Sequence, residues 1–290
     1  MGTGGGELIF LGIGFFFYVV TLSGFISRLK GNGAVITEDQ FPDLHRALKE
    51  SAEALNITTI PTMVLMHADG LFNALAVRFL RRHYIVLFSD LVDAVQDDPE
   101  AIKFYIGHEL GHIKRNHLFW QPIMAPVSWL PLIGAAYSRA REKTCDRHGL
   151  ACCSSKESAA RGMAALVVGG HLYKTMNLKA YMKQLQDISG FWMSYHEIIS
   201  DYPYLSKRLF LLGTDEEKLP RRNPFAWVLA LFTPRLNLMS LVMIYVIVVV
   251  AAGAYVGRPF LHGDETNILS KSTDIRDDVE DNARSTLPTN

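Results

Sequence analysis

Two of the ten histidines stand in the run Gly107-His108-Glu109-Leu110-Gly111-His112. Four residues make about one helical turn, so the imidazoles of His108 and His112 project from one face and can share a metal ion. Glu109 then sits beside them, placed to polarise a bound water. This is the chemistry of metal-assisted hydrolysis. It needs a helix beneath it, and Asp98-Pro99-Glu100 supplies the start: a capping carboxylate, a proline in the first turn and an acid near the positive end of the dipole. A long helix is predicted from Ala101 to about His117.

A hydrolytic zinc takes three protein ligands and leaves one position for water, so a third donor is required. Downstream lies Ser138-Arg139-Ala140-Arg141-Glu142-Lys143-Thr144-Cys145-Asp146. Glu142 and Asp146 are four apart on a helix and face the same way. One can bind the metal while the other accepts a hydrogen bond from the far nitrogen of a ligand histidine.

With these two stretches in this order, the sequence resembles the membrane zinc metallopeptidases that include the heat-shock protease HtpX and the type I CAAX prenyl endopeptidases. In that family HExxH is followed by a Ser-Arg-x-x-Glu-x-x-Ala-Asp helix. Here Ser138, Arg139, Glu142 and Asp146 match it, with Cys145 in place of the usual alanine. The resemblance implies one Zn2+ per chain on His108, His112 and Glu142, with Asp146 in support. Asn73-Ala74 is similar to the family's Asn-Ala strand, which implies that Asn73 and Ala74 line the substrate cleft. The family's His-Pro-x-x-x-x-Arg segment appears as Tyr202-Pro203 through Arg208, with Tyr202 at the histidine position. A neutral phenol can still donate a hydrogen bond to a developing oxyanion, so Tyr202 is a candidate catalytic group and Arg208 a supporting one. The resemblance covers about Pro61 to Leu212.

The elements that must position these groups follow from hydropathy. Phe41 to Leu55 reads as an amphipathic helix. Strand-like runs at Thr62–Met66, Asn73–Phe79 and His83–Phe88 predict a small, mostly antiparallel sheet, with a short helix near Leu91–Val95 after it. From Ser138 to about Leu212 the periodicity is helical. The expected fold class is therefore α+β, a mainly helical metallopeptidase domain with a small sheet.

The chain is neutral overall, with 29 Lys+Arg against 29 Asp+Glu, and 49% hydrophobic, with a mean hydropathy of +0.12. That composition excludes a disordered protein and one held to nucleic acid by counterion release. Leu8 to Ile26 carries no charge and is long enough to cross a bilayer, and Leu238 to Val256 is a second such run. Basic residues cluster between them, which puts the middle region in the cytoplasm and both termini outside. Three cysteines, two of them adjacent, fit a reducing compartment and apolar packing rather than a disulfide framework.

His117 to Tyr137 is also apolar, yet it cannot be a single span. His112 and Glu142 must both reach one ion, and one crossing would put about 30 Å of hydrocarbon between them. Pro122, Pro126 and Pro131 are expected to break a continuous helix, so the segment is read as a hairpin dipping into or lying against the membrane.

The expected organisation is an anchor at 1–30, a metallopeptidase domain at 31–222 containing the hairpin at 117–137, an interfacial segment and second span at 223–257, and a disordered polar tail at 258–290. Expected partners are the lipid bilayer and protein or peptide substrates, with no nucleic acid. Resemblance and location imply an HtpX-like endopeptidase of the bacterial inner membrane acting on misfolded or membrane proteins. The alternatives are a prenyl-peptide protease and, because of Tyr202, an inactive membrane adaptor.

Overall fold

The structure is a computed structural model that describes residues 4–67, 73–213 and 219–233. The chain divides into two units, Met1–Arg235 and Leu236–Asn290. The second unit, with the expected span Leu238–Val256 and the polar tail, lies outside the described residues, as does the connection 68–72.

Helix α1 (Gly4–Asn32) leads into the short strand β1 (Ala34–Val35) and helix α2 (Pro42–Ala54). Strands β2 (Thr62–Met66), β3 (Ala74–Phe79) and β4 (Arg82–Phe88) follow within a residue of the predicted runs, then α3 (Ser89–Val95). The sheet order is β1-β2-β4-β3. It is mixed rather than simply antiparallel: β1–β2 and β3–β4 are antiparallel, but β2 and β4 run parallel. The β3–β4 hairpin turns at Leu80, with φ +54°, and inserts β4 beside β2, which leaves β3 at the edge. Alternation of hydropathy gives a strand its faces but not its neighbours, and so the parallel pair was not readable.

Strand β4 is covered on both faces. Tyr84, Val86 and Phe88 meet Ile26 and Leu29 from the end of α1, whereas Ile85 and Leu87 join the main core with Leu44 and Leu48 of α2 and Phe104 and Leu110 of α4. This explains why His83–Phe88 reads as a continuous apolar run.

Helix α4 (Pro99–Lys114) is capped as predicted, Asp98 Oδ1 accepting from the Ala101 amide at 3.1 Å. It stops three residues earlier than expected. Asn116 adopts φ +54°, and the chain turns into α5 (His117–Ser128) before α6 (Ile133–Ala151). The segment is thus not one continuous helix, but contrary to expectation α5 continues through Pro122 and Pro126 and only 129–132 breaks. These two prolines are four apart, so the missing amide donors fall on one side of a short helix that keeps its other bonds. Helices α7 (Lys156–Val168), α8 (Leu178–Lys183) with a 3-10 turn (Gln184–Ser189), α9 (Phe191–Ile199), α10 (Leu205–Gly213) and α11 (Pro224–Leu231) complete the described chain.

Among the described residues one segment, Gly12–Asn32 of α1, is long and apolar enough to cross a membrane. Phe15, Phe16 and Phe17 are exposed on consecutive positions, so no single face of this helix seeks a protein core. Helix α11 buries only Ala226 and Ala230, against Ile198 of α9, and presents Phe225, Val228 and Phe232 outward.

Candidate metal centre

The centre forms where α4 crosses α6. Small residues let the two helices approach closely: a Cβ on Gly149 would lie 2.7 Å from the Phe104 carbonyl oxygen, and one on Gly111 would lie 3.1 Å from the Cys145 Cα. At that spacing the carboxylate of Glu142 on α6 reaches both imidazoles on α4. Glu142 Oε2 stands 3.4 Å from His108 Nε2, and Oε1 stands 3.7 Å from His112 Nε2. Ligand atoms around a tetrahedral zinc, with bonds of 2.0–2.1 Å, are separated by about 3.3 Å. The three donors fit such an ion.

Behind the donors each ring is held by its other nitrogen. A carboxylate can only accept, so His108 Nδ1–H donates to Asp146 Oδ1 at 3.0 Å, which leaves the Nε2 lone pair for a ligand bond. Arg208 donates to both oxygens of Asp146, at 2.8 and 2.6 Å, and fixes that carboxylate in turn. His112 Nδ1 lies 3.2 Å from His117 Nδ1. One ring must donate and the other accept. With His112 donating, its Nε2 also faces the cleft unprotonated.

Of the two carboxylates left open as third ligand, the geometry puts Glu142 against the cleft nitrogens and Asp146 behind His108. Cys145 is a further candidate, since its Sγ clusters with His108 and His112. It is the weaker donor. Its sulfur lies 3.6 Å from His117 Nδ1, beside the ring that backs His112, and burial pushes the thiol far up, which keeps it neutral.

The electrostatics call for added positive charge. Burial disfavours ionisation of His108, yet hydrogen bonds to Asp146 and Glu142 outweigh it and raise its affinity for a proton to a pKa of about 10. Burial lowers His112 to about 3. Burial works against ionised Glu142 as well, but His108, Arg208 and His112 hold its carboxyl below the usual range. Burial raises Glu109 to about 7, against which the Ala76 amide hydrogen-bonds its carboxylate. Three buried carboxyls thus surround a place where a cation is stabilising, as a divalent ion would be.

A cleft of about 310 Å³ opens over these groups, between α4 and the edge strand β3. Asn73, Ala74 and Ala76 line it from β3, and Tyr202 and Arg141 from the other side. Phe88 donates to the Asn73 carbonyl, which fixes the ladder so that the backbone groups of Ala74 and Ala76 point away from β4, toward the open edge. Tyr202 is 58% exposed. Neither His148, bonded to its own helix at the Thr144 carbonyl, nor His196, stacked on Trp192, lines this cleft.

Among the residues at the site that had no functional reading in the sequence are Arg141, which lines the cleft, and His117, which backs His112. Five residues beyond His112, His117 would be off the ligand face of a continuous helix, and only the left-handed turn at Asn116 brings it back. The adjacent Cys152 and Cys153 pack against the main core as expected, with burial raising their thiols to about 11 and 12.

Residues 38–135 match the profile of peptidase family M48, a metallopeptidase family. The matched span holds His108, Glu109 and His112 and stops before Glu142, so the third donor rests on the geometry. A curated relative, the plastoglobule-localized metallopeptidase 48, chloroplastic, of Arabidopsis thaliana, is 24% identical over 170 residues, covering 53% of this chain and 48% of the relative. The chain thus spans about half the length of the curated relative it matches. No solved structure matches.

Proposed function

We propose that the protein is a membrane-anchored zinc metalloendopeptidase of HtpX-like character, acting on misfolded or membrane-associated proteins. The observation that carries this reading is the approach of Glu142 to the cleft-facing nitrogens of both His108 and His112, with Glu109 buried in the same cleft. The M48 match supports peptidase chemistry, and the exposed apolar helix α1 together with a plastoglobule-localized relative supports a membrane setting. A bacterial inner membrane with a cytoplasmic catalytic region remains the proposed location.

Zinc held by His108, His112 and Glu142 would supply Lewis acidity and a water of lowered pKa. Glu109, buried in the same cleft, would accept a proton from the attacking water and return it to the leaving amine. A substrate peptide adds as an extended strand to the open edge of β3, where the carbonyls of Ala74 and Ala76 accept its backbone N–H groups, their own amides being held by Asn73 Oδ1 and by Glu109. Backbone pairing of this kind reads little side-chain identity, which suits unfolded substrates. Tyr202, which lines the same cleft, would donate to the carbonyl oxygen as negative charge develops on it.

The decisive experiment compares wild type with Glu109→Gln in detergent, assayed on casein and on an unfolded membrane protein. Cleavage is expected to vanish while one zinc per chain is retained, and chelation of the wild type should abolish activity until zinc is restored. Wild-type cleavage by the variant would remove Glu109 as the base. Absence of cleavage from the zinc-loaded wild type would favour the adaptor reading instead.

A further inference from the structure

A second cavity, of about 480 Å³, lies on the far side of α6 from the cleft. Arg208 lines both, so the Arg208–Asp146 pair forms a shared wall. The described lining contains seven cationic side chains and two acidic ones. Most of the cations are spent. Arg208 is held by Asp146, Lys207 and Arg222 both meet the Glu197 carboxylate, and Arg139 donates to the carbonyls of Glu197, Ile198 and Ser200.

Lys143 and Arg147 are different. They follow Arg139 at intervals of four along one face of α6, where like charges repel, and they make no ion pair among the described residues. Both are exposed at the cavity wall. Apart from Lys156, which is also engaged, the remaining lining is apolar, with Leu150, Leu211 and Leu212 in the cavity wall and Trp227 contributed by α11. One turn beyond Trp227 on the same face of that helix, Leu231 is exposed. A cavity of roughly 300–1,000 Å³ with an apolar body and a few placed charges is the usual form of a small-molecule site.

We propose that this cavity binds an anionic amphiphile, its phosphate or carboxylate head at Lys143 and Arg147 and its alkyl chain along Trp227 and α11. The juxtaposition explains three features together: two neighbouring cations, Lys143 and Arg147, without an ion pair among the described residues, a cavity rather than a flat basic surface, and an apolar helix face leading out of it. The ligand chemistry is shared by a phospholipid head with its chain and by a free fatty acid or alkyl phosphate. This binding does not depend on the peptidase reading, and metal-free protein serves for its test.

The test titrates the full chain in maltoside micelles with dodecyl phosphate, inorganic phosphate and dodecyltrimethylammonium, reading melting temperature and tryptophan quenching by chain-brominated dodecyl phosphate. Dodecyl phosphate is expected to bind saturably, at least tenfold more weakly to Lys143→Ala/Arg147→Ala, and within twofold of wild type to Lys143→Arg/Arg147→Lys. Quenching should fall by at least half in Trp227→Phe. An equal response to dodecyltrimethylammonium, or equal affinity for inorganic phosphate, would overturn the amphiphile assignment. So would the absence of any saturable response, the result expected if the acidic run Asp215-Glu216-Glu217, outside the described residues, neutralises this wall.

Discussion

A ligand histidine is only as well placed as the group behind it, and the two rings here are backed differently. His108 leans on a carboxylate that Arg208 holds with two bonds, whereas His112 leans on a neutral imidazole, His117. Loss of such a backing group lowers metal affinity by about 10–100-fold. His117→Ala should therefore bind zinc that much more weakly in a competition titration, while His117→Asn, whose side-chain carbonyl can accept the same hydrogen bond, recovers part of the loss. Unchanged affinity in the alanine variant would mean that His112 is oriented by packing alone. Glu109→Gln is the complementary residue-scale case: the chemistry is lost and the ion retained.

The elements meet through contacts that tolerate little added volume. Gly149 lies where α6 presses on the Phe104 carbonyl of α4, and a methyl there must push the helices apart. Overpacking of this kind costs about 1–3 kcal/mol. Gly149→Ala is expected to lower stability by that amount in urea unfolding and to weaken zinc binding, because Glu142 retreats from the histidines. Intact zinc affinity would show that the crossing has slack.

Helices α9 and α10 are joined by Glu197, 1% exposed, whose carboxylate binds Lys207 and Arg222. Burial opposes its ionisation, yet Arg222 and Lys207 hold its pKa below the ordinary carboxylate range. A lowered folded-state value contributes stability above the unfolded pKa of about 4.3, lost as pH falls through the folded value. The melting temperature of wild type should thus fall more steeply below about pH 4 than that of Glu197→Gln. At neutral pH the variant, with two cations left unpaired, should be about 3–5 kcal/mol less stable. Parallel pH profiles would discount this pair as a stabilising element.

For the whole molecule, α1 has two roles in one helix. Its end is part of the protein core, Leu29 being 0% exposed against Tyr84 and Val86, while Phe17, three turns earlier, is 62% exposed. Leu29→Ala should cost about 2–5 kcal/mol in chemical denaturation. Phe17→Arg should leave that stability unchanged but cost about 2.5–3.5 kcal/mol for insertion of residues 1–35 in a translocon reporter. Full insertion of the arginine variant would place this helix in a protein interface instead of a bilayer. The exposed apolar face of α11 is consistent with the same membrane setting.

Local patterns were legible because they are short-range. The spacing of His108, Glu109 and His112, the Asp98 cap, the three strand runs and the apolar character of α1 are all set by neighbours within one or two turns, where periodicity and capping chemistry act. Resemblance supplied Glu142 as a candidate, but the choice between it, Asp146 and Cys145 needed distances across two helices. The parallel β2–β4 pair, the edge position of β3, the return of His117 and the cationic cavity behind Asp146 depend on which distant segments touch. That information is absent from any local window, since it arises from close packing at glycines, one left-handed turn and the burial of both faces of β4.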